Sequence, residues 1–277
     1  MTETTSVPAT TEPEPNRWRQ ATPRILEVLA VNAVPLWGLF HGWSLSTLLV
    51  LYWCENLLNT IFVGGRIWLH RVLTHRRGHW TVEPTLQVTT TINGRTTRTA
   101  GRRQTTLLAN FVSVNLMFTV AHGIFVAVLV YQFLPGGPEP ADLRRGLGWL
   151  VAGMSVSFVL DAIKLRNWPF AWIRQRADAA TGRLLVVHLG IIGGMVLLAV
   201  THRPTSFFAV FIALKLLLEL GLALPQARLS AAGPPGWLGW ARRFGKPGEI
   251  DAVWRKAASD ELQKQRADEE VLDHVPA

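Results

Sequence analysis

Six apolar stretches, each close to the length of a membrane-spanning helix, restrict this chain to a membrane fold. Crossing the hydrocarbon core of a bilayer takes about 20 mostly apolar residues in an α-helix. The first and fourth stretches are marginal, because they contain Pro35 and Asp161 respectively. The pattern predicts an all-α, polytopic transmembrane bundle of about six helices, at 25–42, 45–67, 107–133, 147–165, 184–201 and 206–224.

Basic residues alternate along the chain in a way that predicts the orientation of these helices. Of the 28 Lys and Arg residues, 24 lie in the N-terminal tail, around the connections after the second and fourth stretches, and in the C-terminal tail. Cytoplasmic connections are enriched in Lys and Arg, so both termini are expected in the cytoplasm, with the protein in the cell inner membrane. Topology and contact with anionic lipid headgroups then explain the net charge of +9 without a nucleic-acid partner.

The segments outside the apolar stretches divide the rest of the chain. Residues 1–24 are rich in Thr, Pro and Glu, which predicts a disordered cytoplasmic tail before a transmembrane domain over 25–226. The cytoplasmic loop 70–106 has Thr-rich runs on both sides of Asn93-Gly94, a pattern typical of a small β-hairpin. Residues 227–277 are a cytoplasmic tail, whose composition favours a membrane-surface segment followed by a charged helix.

Ionisable and polar residues recur inside the predicted membrane helices. A charge at the bilayer centre costs about 2.5–3.5 kcal/mol, so such side chains normally pair with one another. Glu55 and Lys215 lie near the middle of their helices and are expected to pair, with His122 as a further member. Glu219 and His188 lie nearer the cytoplasm and are expected to form a lower pair. The candidate cluster comprises Tyr52, Glu55, Asn56, Asn59, Asn115, His122, His188, Lys215 and Glu219.

Three interpretations of this cluster stay open at the level of sequence. The residues lock the bundle together, line a path for an ion or ligand, or carry out catalysis. Asp161 and Lys164 are treated separately, because charges at a helix end reach the membrane interface and act as anchors there.

A run of histidines follows the second stretch and has a spacing that suits metal chemistry. It resembles the first histidine box of membrane acyl desaturases, and imidazoles are good iron or zinc ligands. That family has further paired-histidine boxes, which this chain lacks. We therefore expect a basic, lipid-facing loop and no metal, with three weak candidate ligands, His70, His75 and His79.

Several common enzyme classes have no signature in this sequence. It has neither a Gly-x-x-x-x-Gly-Lys-Ser/Thr loop nor a Gly-x-Gly-x-x-Gly turn, which disfavours an ATP-driven pump. It also lacks the Gly-x-Ser-x-Gly elbow of many hydrolases. The balance leans against an enzyme, although a lipid-modifying one stays open.

Several blocks resemble a family of bacterial multi-pass membrane proteins defined only as a domain of unknown function. The most specific block is Tyr52-Trp53-Cys54-Glu55-Asn56; the others are Asn32 with Pro35, Leu36 and Trp37, then Ala121-His122-Gly123-Ile124-Phe125, and finally His188 with Lys215 and Glu219. The resemblance implies that the cluster positions share one interior, and it implies no activity. Val114 and Ala223 stand where many members carry histidines, which disfavours metal or haem, so no cofactor is expected.

The function expected from these observations is binding or transport of a small solute, ion or lipid. A non-catalytic membrane scaffold and a lipid-modifying enzyme are the alternatives. The sequence leaves open whether the protein is a homo-oligomer or a subunit of a membrane complex.

Overall fold

The computed structural model describes residues 17–80, 89–92, 95–98, 105–134, 136–201, 212–217, 219–221 and 249–272. The helices are α1 (Arg17–Phe40), α2 (Leu45–Thr74), α3 (Leu107–Val128), α4 (Pro140–Lys164), α5 (Phe170–Thr201), the helical residues 212–217 and 219–221, which we call α6, and α7 (Glu249–Asp268). Two short strands, β1 (Thr89–Ile92) and β2 (Arg95–Arg98), pair with each other. The chain is therefore helical apart from one small hairpin.

Three helical segments in the described part of the chain are long and apolar enough to cross a membrane. They span Leu45–Thr74, Leu107–Gln132 and Pro140–Asn167. The second continues α3 through one turn of π-helix, and the third continues α4 through one turn of 3-10 helix. These segments confirm the second, third and fourth predicted stretches as candidate spans, whereas the count of six and the orientation of the termini stay predictions.

The helix boundaries differ from those expected from hydropathy, most of all at polar ends. α1 begins at Arg17, eight residues before the first predicted stretch, and α2 continues to Thr74 instead of ending at residue 67. α5 begins at Phe170 rather than at residue 184. Charged residues ended the apolar stretches in the sequence but not the helices, since helical hydrogen bonding does not require apolar side chains.

A tight hairpin joins α1 to α2. Gly42 has a φ of +77°, a conformation that glycine adopts without strain, and the Trp43 amide donates to the Gly38 carbonyl over 2.9 Å. The Trp43 ring packs so closely on Gly38 that a Cβ there would overlap it. Ser44 caps α2, because its hydroxyl accepts from the Thr47 amide over 3.1 Å.

α2 is the central helix, in contact with α1, α3, α4 and α5, and its apolar core has two parts. One part lies around Trp43, Leu48 and Leu51 and includes residues of α3, α4 and α6. The other begins at Val63 and Ile67 and includes residues of α3 and α5. The intervening stretch of α2, from Tyr52 to Thr60, carries Glu55, Asn56 and Thr60, three of the seven polar or charged residues that α2 buries. The two apolar clusters therefore enclose a polar layer from both sides.

The outer surfaces of the bundle are apolar. On α4, Val156, Val159 and Ile163 are 57–74% exposed, and α3 exposes Val120 and Ile124. Large apolar side chains exposed in contiguous rows are typical of a lipid-facing surface.

The predicted hairpin in the loop 70–106 is confirmed. Ile92 pairs with Arg95 and Thr89 with Arg98 in antiparallel register. The two residues between the strands are the Asn93-Gly94 pair that predicted the turn, and they lie outside the described residues.

Candidate intramembrane charge site

Glu55 is the central residue of the polar layer. It lies ten residues into α2, about 15 Å along the helix axis at 1.5 Å per residue. Its side chain is only 2% exposed and contacts two cations from other helices, Arg183 of α5 and Lys215 of α6. Two cations at one buried carboxylate over-compensate its charge, so the site requires a second anion.

Glu219 is that second anion. It lies one turn after Lys215 on α6, and its Oε1 is 3.2 Å from Lys215 Nζ and 2.6 Å from Arg183 Nε. Lys215 Nζ is also 3.3 Å from Glu55 Oε2. Each cation thus touches both carboxylates, and the charge quartet of Glu55, Arg183, Lys215 and Glu219 has a net charge of zero.

Asn32 of α1 orients the quartet from a fourth helix. Its amide Nδ2 donates to Glu219 Oε2 and its Oδ1 accepts from Lys215 Nζ, both over 2.6 Å. The same Nδ2 also donates to the Val28 carbonyl, which holds the side chain against its own helix. Because a primary amide offers both donors and an acceptor, it can bridge an anion and a cation without adding charge.

Tyr52 lies one turn before Glu55 on the same face of α2, and its ring faces the ammonium group. Lys215 Nζ is 5.6 Å from the centroid of the ring, within the range of a cation–π contact. Asn56 is buried next to Glu55, and Asn59 is half-buried one turn further along α2.

The polar residues of α3 border this layer. Asn115 Nδ2 donates to Thr181 Oγ1 of α5 over 3.0 Å, two residues before Arg183. His122 is buried, and its Nδ1 lies 2.7 Å from the Phe118 carbonyl of its own helix. Trp53 of α2 donates to the Thr119 carbonyl over 2.9 Å and ties α2 to α3 at this level.

The expected contact between Glu55 and Lys215 is present, whereas the expected lower pair of Glu219 with His188 stays a prediction. Glu219 belongs to the same network as Glu55, because i,i+4 spacing on α6 directs it and Lys215 to one point. The side chain of His188 lies outside the described residues.

Two members of the network, Arg183 and Asn32, were not candidates on sequence grounds. Arg183 was assigned to the connection after the fourth stretch, yet it is the fourteenth residue of the 32-residue helix α5. The available signal was the helix-compatible composition of residues 170–183, which contain no proline or glycine before Gly182. Asn32 belongs to one of the blocks that carry the family resemblance, but it lies in a marginal stretch and nothing in the sequence placed it beside the cluster.

A second ion pair lies about 16 Å further along α2, at 1.5 Å per residue. Arg66 Nε donates to Asp161 Oδ2 of α4 over 2.8 Å, and its Nη2 donates to Ser157 Oγ over 3.0 Å. Arg176 of α5 approaches the same carboxylate at 3.6 Å. The carboxylate of Asp161 thus pairs with a buried arginine, and the expectation that Asp161 acts as an anchor at the membrane interface stays a prediction.

The three histidines of the basic loop do not converge. His70 and His79 are fully buried and hydrogen-bonded to each other, with 2.8 Å between Nδ1 and Nε2, whereas His75 is exposed and ends α2 with a φ of +50°. His70 Nε2 donates to the Trp168 carbonyl, so His70 Nδ1 accepts from His79. Among the described residues, no three His, Cys, Asp or Glu side chains group as metal ligands.

Burial gives His79 an unusual protonation equilibrium. Removal from water, together with repulsion from His70, Arg71 and Arg76, lowers the pKa of His79 from 6.5 to about 3. Its Nδ1 is buried without a hydrogen-bond partner in the described part of the chain. His79 is therefore neutral at physiological pH.

Helices of membrane-spanning length around a buried, charge-neutral ionic network define the class of this protein, a helical bundle with a charged interior. The chain belongs to a family of unknown function, DUF6498, whose family model matches residues 14–235. Every residue of the charge quartet lies inside that match. No significant match was found among curated proteins or among solved structures.

Proposed function

We propose that the charge quartet is a binding site for a small charged solute and that the protein binds or transports this solute across the cytoplasmic membrane. One observation carries the proposal: two anions and two cations from α2, α5 and α6, each at most 13% exposed, share their contacts so that each cation touches both carboxylates. In this proposal six helices cross the membrane with both termini in the cytoplasm, as the distribution of basic residues favours.

Stability alone is a poor reason to keep such a network. Buried ion pairs are often replaced by apolar residues at no cost, because removing four charges from water offsets much of their mutual attraction. Ionisable side chains within membrane segments are rare, and they typically mark substrate or ion pathways. The quartet is therefore better explained as a site whose charges bind a substrate or an ion than as a site that only holds helices together.

The geometry favours a solute that carries a carboxylate or a comparable oxyanion. Arg183 Nε lies 2.6 Å from Glu219 Oε1 and Arg183 Nη2 contacts Glu55 Oε1, so one guanidinium is shared between two carboxylates without the aligned N–H geometry of a hydrogen bond to either. Arginine binds a single carboxylate best with two parallel N–H groups. A solute oxyanion that takes both N–H groups frees the two glutamates to bind a proton or a cationic group of the same solute.

Exchange of partners inside the quartet would also move helices. Glu55 is on α2, Arg183 on α5 and Lys215 with Glu219 on α6, while Asn32 links α1 to the α6 side chains. A solute that replaces the contact between Arg183 and Glu219 weakens the link between α5 and α6 but leaves Lys215 paired. Such a change between two pairings is a physical basis for alternate opening of the two sides.

A scaffold role is the second candidate, and the complete internal pairing of the quartet favours it. All four charges are neutralised within the described residues, as a structural lock requires. The two roles differ in one respect. A structural role requires only that the four charges cancel, whereas a binding site requires these particular side chains.

Native mass spectrometry of the purified full chain in mild detergent, followed by uptake assays in proteoliposomes, tests the proposal. We expect a retained small molecule, or pH-coupled uptake from a panel of amino acids and small carboxylates, and loss of either signal in Glu55→Gln and Arg183→Gln. The control Asp260→Asn removes one charge from the exposed face of α7 and should leave the signal intact. Unchanged binding or uptake in Glu55→Gln would count against this function and favour the scaffold.

A further inference from the structure

Three arginines converge at the end of the bundle where α2 finishes and α5 begins. Arg76 and Arg77 follow directly after α2, and Arg174 lies in the first turns of α5. Their side chains are 26%, 48% and 38% exposed, so they lie at the surface rather than in the core. We call these three residues the arginine triad.

Three consecutive acidic residues, the last residue of α7 and the two that follow it, form ion pairs with the triad. Arg174 Nη1 is 3.2 Å from Asp268 Oδ2, and Arg77 Nη1 is 3.0 Å from Glu270 Oε2. Glu269 pairs with Arg76 through one carboxylate oxygen and accepts from the Ala171 amide, at the start of α5, through the other over 3.3 Å.

Main-chain hydrogen bonds complete the contact. The Arg77 amide donates to the Glu270 carbonyl over 2.8 Å, and the Leu272 amide donates to the His75 carbonyl over 3.0 Å. Arg76 and Val271 form an isolated antiparallel bridge. We call residues 268–272, from the last residue of α7 to Leu272, the acidic strap, because they lie across the end of α2.

The chemistry of the triad suits phosphate at least as well as carboxylate. Guanidinium groups form charge-assisted, bidentate hydrogen bonds with phosphate oxygens, and a free amide at a helix N-terminus adds a further donor. The triad also follows directly after α2, a candidate membrane span, which places it at the level of lipid headgroups in a bilayer. Basic clusters in this position attract anionic lipids.

We propose that the arginine triad is a binding site for the phosphate of anionic lipid headgroups and that the acidic strap is its intramolecular competitor. In the structure the strap is bound, and anionic lipid displaces it. Each partly exposed ion pair changes the equilibrium constant between the bound and the displaced strap by only about 1.4- to 5-fold. The strap is therefore held reversibly. The inference does not depend on the function of the charge quartet.

The extent of the family match along the chain supports a regulatory role for the acidic strap. All three arginines lie within residues 14–235, the part that matches the family, whereas the strap and α7 lie beyond it. The receiving site thus belongs to the family domain, and its occupant belongs to an additional segment.

Hydrogen–deuterium exchange of the full-length protein in nanodiscs tests this inference. Discs of phosphatidylcholine alone are compared with discs that also contain phosphatidylglycerol, at equal ionic strength. We expect peptides that cover Arg77 and residues 269–272 to exchange several-fold faster in the anionic discs, because their amide hydrogen bonds open. Equal exchange in both discs would overturn the proposal.

Variants and a soluble anion separate the remaining explanations. Glu269→Gln should give faster exchange even in neutral discs, whereas Asp260→Asn, the same charge change on an exposed residue of α7, should match the unmodified protein. Arg174→Gln should weaken the response to phosphatidylglycerol. If inorganic phosphate in neutral discs opens the strap as well as anionic lipid does, the lipid assignment is wrong and the site binds soluble phosphate.

Discussion

Removing the charge of Glu55 is the most informative perturbation of this protein. Glu55→Gln leaves Arg183 and Lys215 facing Glu219 alone, which is one uncompensated positive charge in a site at most 13% exposed. Removing one partner of a buried ion pair typically costs about 3–5 kcal/mol. Lys215→Met leaves one uncompensated negative charge, and we expect a similar cost.

The double variant Glu55→Gln with Lys215→Met returns the site to neutrality. Arg183 and Glu219 remain, with Nε and Oε1 separated by 2.6 Å. We therefore expect the double variant to lose less stability than the sum of the single variants, by about 2–3 kcal/mol, the upper part of the range for residues in direct contact.

Unfolding of the purified protein in mixed micelles, followed by tryptophan fluorescence, measures these free energies. The chain contains 12 Trp residues, which provide the signal. Asp260→Asn serves as the control, since surface substitutions away from special features usually change stability by less than about 0.5 kcal/mol. Costs that simply add within that margin would refute the coupling of Glu55 to Lys215, and with it the quartet as an energetic unit.

Two further predictions concern packing and protonation. Gly123→Ala should destabilise the protein by about 1–3 kcal/mol, because the new Cβ would lie 2.7 Å from Trp53 Nε1. Gly148→Ala should be neutral or stabilising in the same unfolding assay, because none of the other described elements has an atom within 4 Å of the new Cβ. The lowered pKa of His79 predicts that its contribution to stability is complete above pH 6.5 and is lost as the pH falls towards about 3, because only the unfolded chain takes up the proton. Between pH 7 and pH 5 the free energy of unfolding should fall by about 2 kcal/mol because of His79. His79→Gln should reduce the pH dependence of stability by that amount. An unchanged pH dependence in the variant would show that His79 is solvated.

Part of the candidate site was predictable from local sequence because the cost of burial acts on each residue separately. Glu55 and Lys215 lie in the middle of apolar stretches, where a charge requires a partner. Helical periodicity placed Tyr52, Glu55 and Asn56 on one face of α2, and i,i+4 spacing placed Lys215 with Glu219. The Asn93-Gly94 pair predicted the hairpin for a similar reason, since turn geometry depends on the two residues themselves.

The pairings depended on how the helices pack, which no local pattern specifies. Arg183 and Asn32 join this network because α5 and α1 bring them to the level of Glu55. Asn32 is 187 residues away in sequence from its partner Glu219. The half-buried Asp161 pairs with the buried Arg66 for the same reason, because α4 packs against α2 at that level.

The sequence by itself determined that the chain forms apolar helices of membrane-spanning length and that certain charges must be satisfied inside them, because hydration costs and helical spacing are local properties. Only the tertiary structure decided which charges satisfy one another, that two glutamates share two cations with an asparagine between them, and that an acidic segment beyond α7 covers the arginines at the end of α2. Coulombic attraction does not distinguish one carboxylate from another, so the choice of partner is left to the distances that helix packing imposes.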